Sequence, residues 1–300
     1  MSRALFVVAL IASVGCQHTS GPKRPVIGVS LLTETHTFFK ELERGLRDEA
    51  AARGLDVVVV ACEMDPAKQA AQIEDFVAQR VAAILLAPCD SNAVGSHLAG
   101  PERAGIPVFT VDIAARSGKV VSHVASDNVQ GGRLAARAMA TALGDRGNVL
   151  IIDHPTVASV QDRVRGFEEE LSHHPQIHIV GRPSADGQRA KAMAVMEDML
   201  QAHHDLNGVF GINDDSALGA LSVIESARRA DIAIVGYDAT DEAQAAMRKG
   251  TALKAEVIQH PGTIGKTAVD VIARYLKGEQ VPPIVSVDVG VLTADALPRQ

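Results

Sequence analysis

Residues 25–43 read PVIGVSLLTETHTFFKELE, and this stretch decides the fold. Positions 26–32 form an apolar run with the length of a buried strand. Thr33, Glu34, Thr35 and His36 then turn polar, and Phe38 and Phe39 enter a segment with helical spacing at Phe39, Leu42, Leu46 and Ala50. Strand, polar loop and amphipathic helix make the first half of a parallel β-α unit. In open parallel sheets, ligands bind beyond the carboxyl ends of the strands, and this first strand is expected near the middle of its sheet. The chain has no Trp, two Tyr and only seven Phe. An adjacent aromatic pair in such a loop reads as one wall of a ligand cleft. Neighbouring helical positions point in different directions, so one of the two rings is expected to face the cleft.

The same beat recurs downstream. Apolar runs at 57–61, 81–87, 107–111 and 120–125 each end in polar residues before a helical pattern. Asp65-Pro66 is an N-cap followed by a first-turn proline. Asp90 and Ser91 are expected to open a helix that closes near Gly105, and Ser126-Asp127-Asn128 to cap a long one. After the turn at 144–147 the rhythm restarts, with strands at 149–152, 177–180, 208–211, 232–236 and 253–258. Continuous apolar strands alternating with helices imply parallel sheets covered on both faces. Ten strands in two sets of five imply two similar lobes, which suits 300 residues. The pattern of the last helix, about 262–276, fits either lobe.

Composition excludes some partners. Net charge is −7 and no basic run extends beyond Lys23-Arg24, so a nucleic-acid surface is not expected. Arg3, the apolar 4–11 and the small residues before Cys16 form an export signal, 1–15, too short for a permanent membrane span. Loss of Arg3 with it takes the mature charge from −7 to −8. Ser13-Val14-Gly15-Cys16 resembles a bacterial lipobox, although Ser13 stands where Leu is usual. Cys16 is then a lipidated N-terminus, and 16–25 a polar tether. The remaining cysteines, Cys62 and Cys89, follow the second and third strands. With the first strand between those two, about two strand spacings separate them, and two free thiols are expected. His173-His174 and His203-His204 read as solvated helix ends, with no ligand spacing for a metal. The segment 262–267, GTIGKT, lacks the first glycine of a phosphate loop, because His260 stands there, and reads as a helix start.

At 121–128, VSHVASDN, followed by Gly131-Gly132, the chain resembles bacterial periplasmic sugar-binding proteins of the ribose-binding type, whose lobes are shared with the LacI repressors. Collinear support comes from IPVFTVD at 106–112, FGIND at 210–214, ALGAL at 217–221, IVGYD at 234–238 and the run 253–259. The resemblance spans about 26–288. It implies a periplasmic binding protein type I fold: two Rossmann-like α/β lobes, each a parallel sheet flanked by helices, joined by a three-crossing hinge. Residues 26–126 plus 260–288 would make the N-terminal lobe, and 127–259 plus 289–300 the C-terminal lobe. It further implies that Phe38 and Phe39 sandwich a sugar ring. Asp112 and Asp238 would accept from hydroxyls, Arg163 would donate in a fork, Asn213 would donate and accept, and Gln259 would reach in from the hinge. His36 stands where the ribose binders have Asn, Ile113 where they have Arg, and Gly187 where they have a third Phe. A roomier pocket with fewer donors follows.

The expectation is an exported, lipid-tethered monomer without cofactor or metal. It captures a monosaccharide or related polyol and presents it to an ABC permease or a membrane sensor, at the periplasm or cell surface. Alternatives are a non-sugar ligand such as a nucleoside or signalling polyol in the same fold, or a sugar-processing enzyme. The enzyme lacks an activated nucleophile or a metal constellation. A LacI-type regulator would need a DNA-binding segment where the export signal stands.

Overall fold

The computed structural model of the protein describes residues 24–298. The export signal and Cys16 lie outside the described residues. The chain runs β1 (Val26–Leu31), α1 (Thr37–Arg53), β2 (Asp56–Ala61), α2 (Pro66–Ala78), β3 (Ala83–Leu86), α3 (Ala99–Ala104), β4 (Val108–Val111) and β5 (His123–Ser126). It continues α4 (Asn128–Leu143), β6 (Gly147–Ile152), α5 (Ala158–Leu171), β7 (Ile177–Gly181), α6 (Arg189–Ala202), β8 (Leu206–Gly211), α7 (Asp214–Ser226), β9 (Ala233–Asp238), α8 (Asp241–Arg248) and β10 (Leu253–Ile258). It ends α9 (Pro261–Leu276), β11 (Ile284–Val287) and β12 (Gly290–Thr293).

Two sheets result, ordered β11-β5-β4-β3-β1-β2 and β12-β10-β9-β8-β6-β7. The first is parallel throughout, and the second carries one antiparallel edge, β12 on β10. Thus β1 is second from the β2 edge rather than central. The tail adds a sixth strand to each sheet. Both tail strands are short, lie at sheet edges and bury no continuous face, so no apolar run announces them. The chain passes between the sheets three times: after Ser126, at Gln259-His260 and at Asp288-Val289.

Local chemistry sets the boundaries. Asp65 accepts from the amides of Ala67 and Lys68 ahead of Pro66, Asp127 from Gln130, and Asn213 from Ser216. Gly54 ends α1 in the left-handed conformation at φ 69°. The helix expected from Asp90-Ser91 to Gly105 is broken: a short 3₁₀ turn (Val94–His97) precedes α3. Pro101 lacks an amide hydrogen and is tolerated only in a first turn, so the helix restarts just before it. Helix α9 is no longer ambiguous, because it lies along α1. A Cβ on Gly45 would run into the Gly262 carbonyl, and one on Gly265 into that of Leu42. On the other side, α4 and α5 are drawn equally close by Gly132 and Gly166, and α4 covers β9 and β10.

The two free thiols are a correction, since Cys62 and Cys89 form a disulfide with Cα atoms 6.8 Å apart. Strand β1 does lie between β2 and β3, but it ends at Leu31. Cys62 still donates its amide to the Leu31 carbonyl at 2.9 Å, whereas Cys89 stands three residues past β3, where strand pairing no longer sets its distance. They lean together across the carboxyl end of β1.

Candidate functional site

The carboxyl ends of both sheets face one narrow cavity of about 40 Å³, at the place where open α/β sheets bind ligands. Its lining includes all eight residues singled out in the sequence: His36, Phe38, Phe39, Asp112, Arg163, Asn213, Asp238 and Gln259. From the first sheet come the β1–α1 loop, the first turn of α1, and Asp112 just past β4. From the second come Arg163 on α5, Asn213 past β8, and Asp238 closing β9. Gln259 sits at a crossing. Phe38 and Phe39 are both buried and both reach the cavity, their rings edge to face at 5.2 Å. The residue pattern asked for one ring at the cleft and the resemblance for two, and both rings line the cavity.

Arg163 is held before any ligand arrives. Its Nε donates to Asn128 Oδ1 at 2.8 Å, its Nη1 donates to the Ile212 carbonyl at 2.8 Å, and its plane lies 4.0 Å over the buried Tyr237 ring. Asn213 is mostly committed, with its Oδ1 capping α7 and its Nδ2 donating to the Gly187 carbonyl at 3.1 Å. The acceptor wall is less satisfied. Asp112 Oδ1 and Gln259 Oε1 are buried without a donor among the described residues, and a buried acceptor left unpaired is costly. Gln259 Nε2 donates to Asp238 Oδ1 at 2.6 Å. Burial pushes the Asp112 carboxyl up to about 6, opposed by the Arg163 charge. Burial pushes Asp238 up to about 8, helped by the neighbouring Asp214. The single donor from Gln259 does not offset the burial of Asp238, and Asp112 Oδ1 has no donor among the described residues.

His36 lies 3.4 Å from Asp215, across the cleft, and burial lowers its pKa against that carboxylate's pull. His154, just past β6, lines the same cavity and was not expected there. Burial lowers its pKa too, against Asp186 and Asp153. The sequence signal was weaker than for Asp112, because Asp153 comes first past the strand and His154 is the second residue. Its Nδ1 would stand 3.4 Å from a Cβ on Gly187. The imidazole thus backs the position left without a side chain and adds a ring nitrogen to a wall that Ile113 leaves apolar. Leu32, Val157, Ser159, Val160 and Ile212 complete the lining; nothing in their spacing separates cavity wall from core.

The lobes touch on both sides of the cavity. Ser91 of the first lobe donates its amide to the Thr156 carbonyl at 3.1 Å and accepts from Ala158 at 2.8 Å, capping α5. Arg116 donates to Gln161 at 2.9 Å. The cavity is therefore described with the lobes closed over it.

Residues 27–280 match the model of the periplasmic binding protein domain family. The chain belongs to that family. It is 38% identical to the ribose import binding protein of Bacillus subtilis (strain 168), over 89% of this chain and 87% of that one. It is 31% identical to a D-apiose import binding protein of Paraburkholderia graminis, covering 83% and 81%. Among solved structures, an ABC transporter solute binding protein from Mycobacterium smegmatis with bound glycerol superimposes with a TM-score of 0.86 at 34% identity, covering 91% and 95%. A myo-inositol binding protein from Caulobacter, bound to myo-inositol, gives 0.85 at 29%, covering 90% and 93%.

Proposed function

We propose that this protein is an exported receptor, tethered through Cys16, that captures a small neutral polyol or monosaccharide between its lobes. It presents the ligand to an ABC permease or a membrane sensor and performs no chemistry on it. One lobe comprises 26–126 plus 260–288, and the other 127–259 with the tail from 289. The observation that carries this reading is the unpaired acceptor wall. Asp112 Oδ1 and Gln259 Oε1 are buried with no donor among the described residues, beside a pre-ordered guanidinium and two aromatic rings. Vicinal hydroxyls supply donors to the carboxyls, and charge-assisted bonds of that kind are the strong ones. The C–H faces of a polyol pack on Phe38 and Phe39. The glycerol and inositol complexes of the relatives support the same ligand chemistry.

Closure follows from this division of labour. Asp112 and the phenylalanines stand on one lobe, Arg163, Asn213 and Asp238 on the other. Only the closed state offers a ligand both sets, so the ligand's affinity differs between the states and shifts the population. A thermal-unfolding panel of D-ribose, D-apiose, xylitol, glycerol, D-allose, myo-inositol and a nucleoside tests the reading. A binder at about 100 times its Kd stabilises by about 2.7 kcal/mol, a rise in Tm of roughly 5–10 °C at this size. No shift with any polyol would remove the proposal; a shift with the nucleoside alone would move it to another ligand class.

A further inference from the structure

Behind Asp238 lies a second pair of acids that the binding residues do not include. Glu256 stands on β10 opposite Gly236 of β9, with no exposed surface. Only the missing side chain of Gly236 makes room for it, since a Cβ there would run into Glu256 Oε1. Neither oxygen of Glu256 meets a donor side chain among the described residues, and neither does Oδ1 of the buried Asp214, the first residue of α7. The two carboxyl groups lie within hydrogen-bonding reach of each other. Two carboxyl groups buried against each other resist being ionised together, which favours a proton on one of them. Burial raises both, Glu256 well above the carboxylate range. The charged groups around the pair are Asp215 on α7, Asp238 on β9, and beyond it Asp112 and Arg163. Arg163 is positive, and Asp215 is itself paired with Arg189 at 2.9 Å.

The pair touches the turn that presents Asp238. Asp238 has φ 114° and Ala239 φ 59°, two successive non-glycine residues on the disfavoured side, a conformation that persists only where surroundings over-determine it. Asp214 Oδ2 accepts the Thr240 amide at 2.8 Å, and the Ala239 amide favours the charged form of Glu256. Gln244 Nε2 donates to the Ala239 carbonyl at 2.9 Å.

We propose that Glu256 is a positioning residue for the binding site: its proton-sharing contact with Asp214 clamps the 238–240 turn and so aims the Asp238 carboxyl into the cavity. The inference rests on reading that cavity as the ligand site. Two variants test it. In Glu256→Gln an amide N–H replaces the shared proton, while Glu256→Ala removes the clamp. Two readouts need no ligand. The infrared spectrum of the wild-type protein at pH 7 contains the carbonyl stretches of buried protonated acids, Asp238 among them, and Glu256→Gln loses one of these bands while Asp238→Asn loses a different one. The amide resonances of Ala239 and Thr240 move in Glu256→Ala and return close to wild type in Glu256→Gln. By calorimetry with xylitol, D-ribose and myo-inositol, any that bind wild type bind Glu256→Ala at least tenfold more weakly and Glu256→Gln within about threefold. Unmoved turn resonances in Glu256→Ala, or unchanged affinity, overturn the proposal. If no polyol binds wild type, the function reading fails, and the two spectra still decide whether the clamp exists.

Discussion

Asp238 is held at the end of β9 by Gln259 and an unfavourable backbone, and it titrates near 8 because burial and Asp214 resist its charge. A carboxyl whose folded pKa is raised binds its proton more tightly in the folded state. Its stabilising contribution is therefore complete below the unfolded value, near 4, and is lost as pH rises through the folded one. The histidines, whose folded values are lowered, act at lower pH. Between about pH 7.5 and 9 these three are nearly neutral in both states and contribute little slope. The ligand-free protein is expected to lose thermal stability across that window, and Asp238→Asn to flatten the loss, as unfolding scans at half-unit steps would read. A wild-type Tm that rises toward pH 9 would contradict this. At this scale the sequence was legible where a residue directly follows a strand. It was silent on Glu256, whose part depends on Gly236 of the neighbouring strand, a contact set by register.

The element that organises the first lobe is β1 with its loop and α1. The run at 26–32, the polar turn and the two phenylalanines were readable because strand, loop and helix are consecutive in the chain. The disulfide was not, because it depends on where β1 stops relative to its neighbours, beyond what strand order predicts. It links Cys62 to Cys89 beside the loop that carries His36, with 27 residues of separation. A loop that long constrains the unfolded chain by roughly 3–4 kcal/mol. Cys62→Ser with Cys89→Ser is therefore expected to lower Tm by about 10 °C, and thiol titration of the unfolded, unreduced protein should find neither cysteine free. Two titratable thiols would restore the original expectation. The tail strands were missed for a related reason: each is a half-exposed edge, and pairing rather than hydrophobicity makes it a strand.

The whole molecule is two sheets crossed three times by one chain, with its cavity at the carboxyl ends of both. The alternation of strand and helix made the paired lobes legible. What periodicity could not supply was the seating of α9 on α1, which rests on backbone contacts between glycines. Closing the lobes brings the acceptors of one wall opposite the guanidinium of the other. The same closure gives α5 its cap from Ser91 in the other lobe. An unsatisfied carboxyl in the middle of such a molecule is a cost to folding, and the account holds that binding a polyol offsets it. Asp112→Asn tests that directly. Asn tolerates the left-handed backbone at φ 62° but removes the buried charge. Calorimetry and unfolding scans of wild type and variant, with whichever of xylitol, D-ribose or myo-inositol binds wild type, should show affinity down by about 10- to 100-fold while the ligand-free Tm holds or rises. Equal affinity in the two proteins would contradict the account.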